Sequence, residues 1–576
     1  MAQLLQMNRH NRALLDACTF VMQYSSHGQS TATYNELIDL ILTHMHASYI
    51  TYIVLDGVDE AEDDKEIIQT LRSLASAPSC RFLLFGRPTV APLQKAVLKE
   101  AQFGISKASI EGDIKIYLRH EVDEFVADDL LPDYSDAHEL TDQLCTGADG
   151  MFLWARLMMS YLASPAFEPF QRLRIIQSVT FPEGLDSMYN RIINLILQRN
   201  REERDLATRI LLWLTYSLTH LDTPQLRETI IMAQNSKNDK EEALQDYGPF
   251  EQTVIWACAG LVERYRGGTV NDKPFNGFRF IHLTVQEYFS KESVAKYSMQ
   301  RISIPIRQLI PVASVAHLEI ARSCIHYLTY YVPAQPFSGD TASDANLLAF
   351  RQAFPFAFYA APFWIRHLQA FFKSLDNMTV ETEPSFLTSL LGLTASLQGF
   401  LGKPLLIQSW IEAHYMSMKL FIAENPSAEV LHLCPTTATL SNWAHWLACN
   451  YGPNSRNTSV SNVSGSEGFS KLGELCDDLT NFDSDMQELQ LHWSDNLMDT
   501  PGIIRSEVAA FSSSKFLPQT MDTKTTSLAP KELESSRIST KPLCTISDVA
   551  TDGNLMAVLS IWTSRYVKPG MIWMRF

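Results

Sequence analysis

The sequence contains no apolar run long enough to cross a membrane. A membrane-spanning helix needs about 20 consecutive apolar residues, and no stretch of this chain of 576 residues meets that requirement. The N-terminal segment MAQLLQMNRHNR also lacks the apolar core of a secretory signal. We therefore expect no membrane span and a cytoplasmic location.

Basic residues are too few for a general nucleic-acid or anionic-membrane surface. The chain carries 47 Lys and Arg against 64 Asp and Glu, which gives a formal net charge of −17. Nucleic acid and anionic lipid both require a basic footprint. We expect no nucleic-acid partner, and protein partners instead.

Paired cysteines are absent. The nine cysteines stand singly, without a C-x-x-C pair, and their number is odd. This pattern predicts reduced thiols of an intracellular protein and excludes a zinc or disulfide framework. Neither a G-x-S-x-G segment nor a Cys and His pattern indicates nucleophilic catalysis.

A strongly apolar segment ends in carboxylates. Residues 49–60 read YITYIVLDGVDE, which predicts a central strand of a parallel sheet, buried on both faces, with Asp56 at its carboxyl end. This is the Walker B pattern of P-loop NTPases. There, Asp56 would hold Mg²⁺, and Asp59 or Glu60 would polarise the attacking water. A buried strand with a solvated acidic turn remains the alternative.

A second apolar strand follows at residues 80–89, CRFLLFGRPT, with Arg87 just past its end. We predict that it lies beside the first strand, where Arg87 would sense a γ-phosphate. The two segments together resemble the NACHT class of signal-transducing NTPases, in the form found in fungal receptor-like proteins and nephrocystin-like N-terminal domains.

Further segments match that class in the same order, over about residues 35 to 370. They are IEGDIKIYLRHEV, GADGMFLWARLMMSYL, FPEGLDSMYNRII, ILLWLTYSLTHLDTPQLRETI, CAGLVE, FRFIHLTVQEYF and FPFAFYAAPFWIRHLQ. The resemblance implies a winged-helix domain whose His282 contacts the β-phosphate of ADP. A histidine satisfied within the core of that domain is the alternative.

The phosphate-binding loop of the class is missing. No G-x-x-x-x-G-K-[ST] segment occurs, and the look-alike GFLGKP at residues 399–404 has a proline where Ser or Thr is needed. We therefore expect the chain to start inside the nucleotide-binding domain. We also expect no ATP hydrolysis and no bound cofactor.

The predicted fold class is a partial α/β P-loop NTPase sheet followed by mostly helical domains, including a winged helix, with disordered linkers and a short β tail. The predicted divisions are a partial NACHT domain at 1–125, a helical domain at 126–200, a winged helix at 201–295, a helical region at 296–450, a disordered linker at 451–542 and a β-hairpin tail at 543–576. The linker is predicted from its Ser, Thr, Asn and Gly content. The tail resembles the start of a β-propeller repeat.

Three hypotheses on function follow. The first is a NACHT-like signalling scaffold that works without nucleotide through protein contacts, with self-association left open. The second is a residual switch that binds ATP or ADP with Mg²⁺ through Asp56, Arg87 and His282. The third is a fragment of a longer NACHT-repeat protein.

Overall fold

The computed structural model describes most of the chain up to residue 517 and two short strands near its end. The described ranges are 10–21, 33–47, 50–58, 64–86, 91–179, 181–234, 250–270, 273–294, 308–336, 344–375, 384–424, 439–451, 472–506, 508–509, 514–517, 544–546 and 559–561.

Most described residues are helical. The helices are α1 (Arg12–Phe20), α2 (Tyr34–Ala47), α3 (Asp64–Leu74), α4 (Ala91–Ala96), α5 (Lys107–Ala127), α6 (Ala137–Ala148), α7 (Phe152–Leu162), α8 (Pro169–Gln177), α9 (Leu185–Leu197), α10 (Arg201–Tyr216), α11 (Thr223–Gln234), α12 (Phe250–Ala257), α13 (Leu283–Val294), α14 (Ala313–Tyr330), α15 (Asp344–Ala353), α16 (Ala357–Leu375), α17 (Pro384–Leu401), α18 (Pro404–Glu424), α19 (Thr439–Tyr451) and α20 (Leu472–Asp499). The strands are β1 (Thr51–Leu55), β2 (Cys80–Leu84), β3 (Val262–Val270), β4 (Lys273–Phe280), β5 (Cys544–Ile546) and β6 (Leu559–Ile561).

The first two strands form a small parallel sheet. Thr51 pairs with Cys80 and Leu55 with Leu84, so the two segments predicted as adjacent parallel strands are adjacent and parallel. Within the described residues this sheet contains β1 and β2 alone. A larger P-loop sheet is therefore not seen in the described part of the chain.

Only one face of this sheet is packed. That face covers a small core centred on Met45 of α2 and Ala77. On the other face, Tyr52 is 73% exposed and Val54 is 59% exposed. The prediction that β1 is buried on both faces is wrong for the described structure, because alternate side chains of a strand point to opposite faces and the described residues cover only one of them.

Helices α5 to α9 follow as an all-helical layer. In α5, Ile114, Leu118 and Val122 recur every four residues, which places them on one face, and all are fully buried. The segment GADGMFLW closes α6 and opens α7. Its Gly147 is in close contact with Trp154 of α7, since a Cβ added at Gly147 would lie 2.7 Å from Trp154 Cη2. The glycine therefore allows the two helices to approach closely.

Residues 201–294 contain three helices, then a hairpin and a further helix. α10, α11 and α12 precede the antiparallel strands β3 and β4, in which Val262 pairs with Phe280. Asp222, just before α11, makes an isolated antiparallel bridge to Gly277 of β4. The turn before β3 depends on Gly260, whose φ of +81° lies in the left-handed region that glycine favours.

The remaining helices share a core rich in aromatic residues. Trp410 of α18 contacts Trp364 of α16, with ring centroids 5.7 Å apart, and Phe482 of α20 at the same distance. Its indole Nε1 donates to the carbonyl of Ala361 at 2.9 Å. The look-alike GFLGKP lies at the end of α17 and the start of α18, as a turn between two helices.

The prediction of a disordered linker over residues 451–542 is wrong for its central part. Leu472–Asp499 forms a helix of 28 residues, and a 3₁₀ turn follows at Pro501–Arg505. Leu475, Leu479 and Phe482 lie at helical spacing and are buried. The polar composition of the flanking segments obscured this periodicity in the sequence.

The chain divides into two compact units, Met1–Gln519 and Thr520–Phe576. In the second unit, β5 and β6 pair antiparallel, with Thr545 opposite Ser560. Among the described residues, no single helix is both long and apolar enough for a membrane span. The pair Phe386–Leu401 and Pro404–Ile422 passes the same test only together, across a 98° bend.

Candidate functional site

Asp56 lies where the sequence predicted it, at the carboxyl end of β1. The side chain is exposed. The chain then turns at Gly57, whose φ is +72°, and returns to the sheet at Val58, whose amide donates to the carbonyl of Phe85 at 3.0 Å. This turn leaves the Asp56 carboxylate projecting from the exposed face of the sheet.

The other predicted residues of this edge cannot be placed. Asp59, Glu60 and Arg87 lie outside the described residues. Among the described residues, no group of three or more His, Cys, Asp or Glu side chains could hold a metal ion. A Mg²⁺ ion bound by protein relies on carboxylates together with substrate phosphates. Of the carboxylates predicted at this edge, Asp56 is the one that lies within the described residues.

His282 caps the helix that follows the hairpin. It lies between β4 and α13, and its Nδ1 accepts the backbone N–H of Thr284 at 3.2 Å and contacts Thr284 Oγ1 at 2.9 Å. In the bond from the Thr284 amide, Nδ1 is the acceptor. The imidazole satisfies a helix N-terminus in the manner of an N-cap residue.

Thr284 links this cap to the helical layer. Its hydroxyl lies 2.7 Å from the hydroxyl of Tyr189 in α9. Tyr189 is buried, and burial raises the pKa of its phenol. These contacts place His282 at the junction between α9 and α13. The hydrogen bonds described for His282 are all to Thr284 and do not include Asp56.

A buried polar chain that sequence analysis missed joins three segments of the fold. The amide of Leu218 donates to the Tyr359 hydroxyl at 2.9 Å, and that hydroxyl lies 2.8 Å from His367 Nε2. His367 Nδ1 in turn lies 2.9 Å from His317 Nδ1. The arrangement that satisfies every group has the hydroxyl donating to His367 Nε2 and His367 donating from Nδ1 to His317 Nδ1.

Burial keeps both imidazoles neutral. Desolvation lowers the pKa of His317 to about 4 and that of His367 well below its usual range. The sequence signal was weak, because Tyr359 and His367 stand eight positions apart within an apolar helix. These hydrogen bonds join α14 and α16 to the segment between α10 and α11.

A described groove lies elsewhere. It has a volume of about 470 Å³ and is lined by residues of α11, α12 and the segment before α16, among them Arg227, Phe250 and Pro355. Its lining carries charges of both signs, from Arg227, Glu228 and Glu251. Glu251 also forms an ion pair with Arg264. The groove contains none of the residues that sequence analysis proposed for nucleotide binding.

Comparison with known proteins points to one class. Residues 1–87 match the family model described as Nephrocystin 3, N-terminal. The vegetative incompatibility protein HET-E-1 of Podospora anserina is 25% identical over 243 residues, which is 39% of this chain and 17% of that protein. No solved structure matches the chain. The chain thus aligns with only a small part of this relative's length, and the two similarities together support a NACHT-like family.

Proposed function

We propose that the chain is a NACHT-like signalling scaffold of the fungal NLR-like type, which acts through protein contacts and does not need bound nucleotide. One observation carries the proposal. Asp56 occupies the carboxyl end of a parallel strand, as a Walker B aspartate would, in a sequence without the lysine and hydroxyl of a phosphate-binding loop. The similarity to a vegetative incompatibility protein supports the signalling class.

The arrangement of residues 201–294 supports a winged helix in this scaffold. The order is α10, the Asp222 bridge, α11, α12 and the hairpin of β3 and β4. The bridge supplies a third, one-residue strand beside β4, so the topology is helix, strand, two helices and two strands. In the proposal, this domain packs against the helical layer through contacts such as the one between Thr284 and Tyr189.

The expected lack of nucleotide binding follows from which groups supply phosphate affinity. In P-loop proteins the backbone N–H groups of the loop and its lysine bind the phosphates, while the Walker B carboxylate contacts only the metal. An exposed carboxylate without those donors repels a triphosphate. We therefore expect no ATP hydrolysis and no affinity better than about 1 mM, or roughly −4 kcal/mol.

Calorimetric titration of the full chain with Mg-ATP and with Mg-ADP tests this proposal. Asp56→Ala is the site variant, and Asp113→Ala, an exposed aspartate of α5, is the matched control. The scaffold predicts no heat of binding below about 1 mM for any of the three proteins. Micromolar binding that Asp56→Ala abolishes and Asp113→Ala preserves would refute nucleotide independence.

The residual switch makes a different prediction at His282. Asn is a good N-cap residue, so His282→Asn keeps an acceptor for the Thr284 amide while it removes the imidazole. If the switch operates, this variant loses ADP affinity without losing stability. The scaffold predicts that it changes neither property.

A further inference from the structure

The exposed face of the sheet formed by β1 and β2 is mainly apolar. From the β1 side it presents Ile50, Tyr52, Val54 and Asp56, and from the β2 side Arg81, Leu83 and Phe85. The apolar members are between 41% and 73% exposed. The centre of the face is therefore apolar, and one charge of each sign lies on it.

The two charges stand at opposite ends. Arg81 is in register with Tyr52 near the start of the strands, whereas Asp56 follows Leu55 at their end. Four residues of strand separate the two positions, about 13 Å at roughly 3.3 Å per residue. When a second copy of this surface faces the first with its strands running in the opposite direction, the positive end of each copy lies over the negative end of the other.

Such a face is unusual for parallel strands. Parallel sheets occur with both faces covered, because their strands are apolar on both sides. Here the packed face covers the core around Met45, and the other face has no described layer on it. Exposed contiguous apolar surface of this kind marks an interaction site.

We propose that this face, which we name the open face, binds the open face of a second copy of the chain. The two sheets stack about 10 Å apart, related by a two-fold axis that lies between them and runs perpendicular to the strands. With the axis at Val54 and Leu83, each of these residues meets its own counterpart. The strands of the two copies then run antiparallel across the interface.

The same operation matches the charges. Tyr52 faces Asp56 of the second copy, and Arg81 faces Phe85 of the second copy, one strand spacing away from that carboxylate. A strand spacing of about 4.8 Å and a sheet spacing of about 10 Å place the Arg81 and Asp56 backbones roughly 11 Å apart, which an arginine side chain spans. The opposite operation, with the axis along the strands, brings like ends together and leaves the charges unpaired.

Both charged groups can make this contact. Arg81 Nη1 donates to the carbonyls of Pro78 and Cys80 at 2.9 and 2.8 Å, while Nη2 and Nε still carry protons to donate. The Asp56 side chain is exposed. The carboxylate thus retains its acceptor capacity for the second copy.

The area sets the strength of the association. The five apolar side chains of the open face offer on the order of 400 Å² per copy, against about 800 Å² per partner in a stable interface. We therefore expect a reversible dimer that dissociates in the micromolar range. The contact uses no nucleotide, and it does not depend on the proposed signalling function.

Sedimentation equilibrium of the full chain, between about 1 and 100 µM, tests the proposal. Val54→Asp places a carboxylate opposite its own counterpart at the axis and should weaken the dimer at least tenfold. Leu491→Asp, at a 79% exposed leucine of α20, is the matched control and should leave the dimer unchanged. Leu83→Thr, which preserves strand propensity, replaces Val54→Asp if that variant does not fold.

Charge reversal tests the orientation. Asp56→Arg and Arg81→Asp should each weaken the dimer about tenfold, and the double variant should restore it to within about threefold. Mg-ATP should have no effect on any of these constants. The proposal is overturned by a chain that stays monomeric at 100 µM, by a dimer insensitive to Val54→Asp, or by a double variant that associates no better than the single ones.

Discussion

Gly147 provides the sharpest test of the helical layer. It lies in the last turn of α6 and is buried against α7. A Cβ added there would overlap Val179 Cγ1 and would lie 2.7 Å from Trp154 Cη2. Both neighbours are themselves buried, so neither side chain can swing into solvent. We expect Gly147→Ala to push α6 away from α7.

The expected magnitude is the balance of two effects. Overpacking a buried site costs about 1–3 kcal/mol, and here the overlap involves two rigid neighbours, which favours the upper half of that range. Replacing a helical glycine by alanine contributes about 1 kcal/mol in the other direction. The net loss of stability in this layer should be roughly 1–2 kcal/mol.

Gly112 of α5 is the matched control. It is also a helical glycine, but it is exposed, and a Cβ added there would meet nothing within 4 Å. Gly112→Ala should therefore stabilise its helix by about 0.5–1 kcal/mol. The two substitutions are chemically identical and differ only in their surroundings. Effects on stability of opposite sign would therefore be due to packing.

Hydrogen exchange by mass spectrometry is the suitable assay, because exchange reports the opening of each segment separately. Peptides over residues 137–162 should exchange faster in Gly147→Ala. The double variant Gly147→Ala, Val179→Ala should be more stable, by at least about 1 kcal/mol, than the sum of the two single effects predicts. Equal or greater protection in Gly147→Ala would refute the packing argument.

Three further predictions concern stability. Glu412→Ala should lower the free energy of urea unfolding by about 3–5 kcal/mol, because it removes the carboxylate that lies 2.9 Å from the largely buried guanidinium of Arg505. Replacing both residues by Met should cost far less, and equal losses in the two variants would contradict this prediction. Asp483→Ala should lower stability by about 1–2 kcal/mol, since the buried carboxylate accepts a hydrogen bond from the Ser441 amide at 2.9 Å. The first turn of α19 should then exchange faster, and unchanged protection from hydrogen exchange would contradict the prediction. Because burial lowers the pKa of His317 to about 4, the unfolded chain binds a proton there that the folded chain does not, so this residue should contribute a loss of stability of roughly 3 kcal/mol as the pH falls from about 6.5 to 4, and His367 should add to it in the same direction. His317→Gln should flatten that fall in acid unfolding measurements, and an unchanged slope would show that His317 does not titrate in this way.

Local patterns in the sequence were sufficient to place several elements. The apolar runs ending at Leu55 and Leu84 predicted both strands of the parallel sheet, since a run of β-branched residues favours a strand wherever it lies. The four-residue spacing of Ile114, Leu118 and Val122 likewise suits a helix with one buried face. The missing phosphate-binding loop is also a property of the sequence alone.

Other features depended on the tertiary structure. The sequence of β1 is compatible with burial on both faces, and only the packing of neighbouring elements leaves Tyr52 and Val54 exposed. Likewise, the sequence did not reveal that His282 accepts a hydrogen bond from the Thr284 amide at the start of α13, which only the structure shows. The physical reason is that residue spacing is a local quantity, which fixes the side of an element on which a side chain lies. What then covers that side depends on segments far away in the chain.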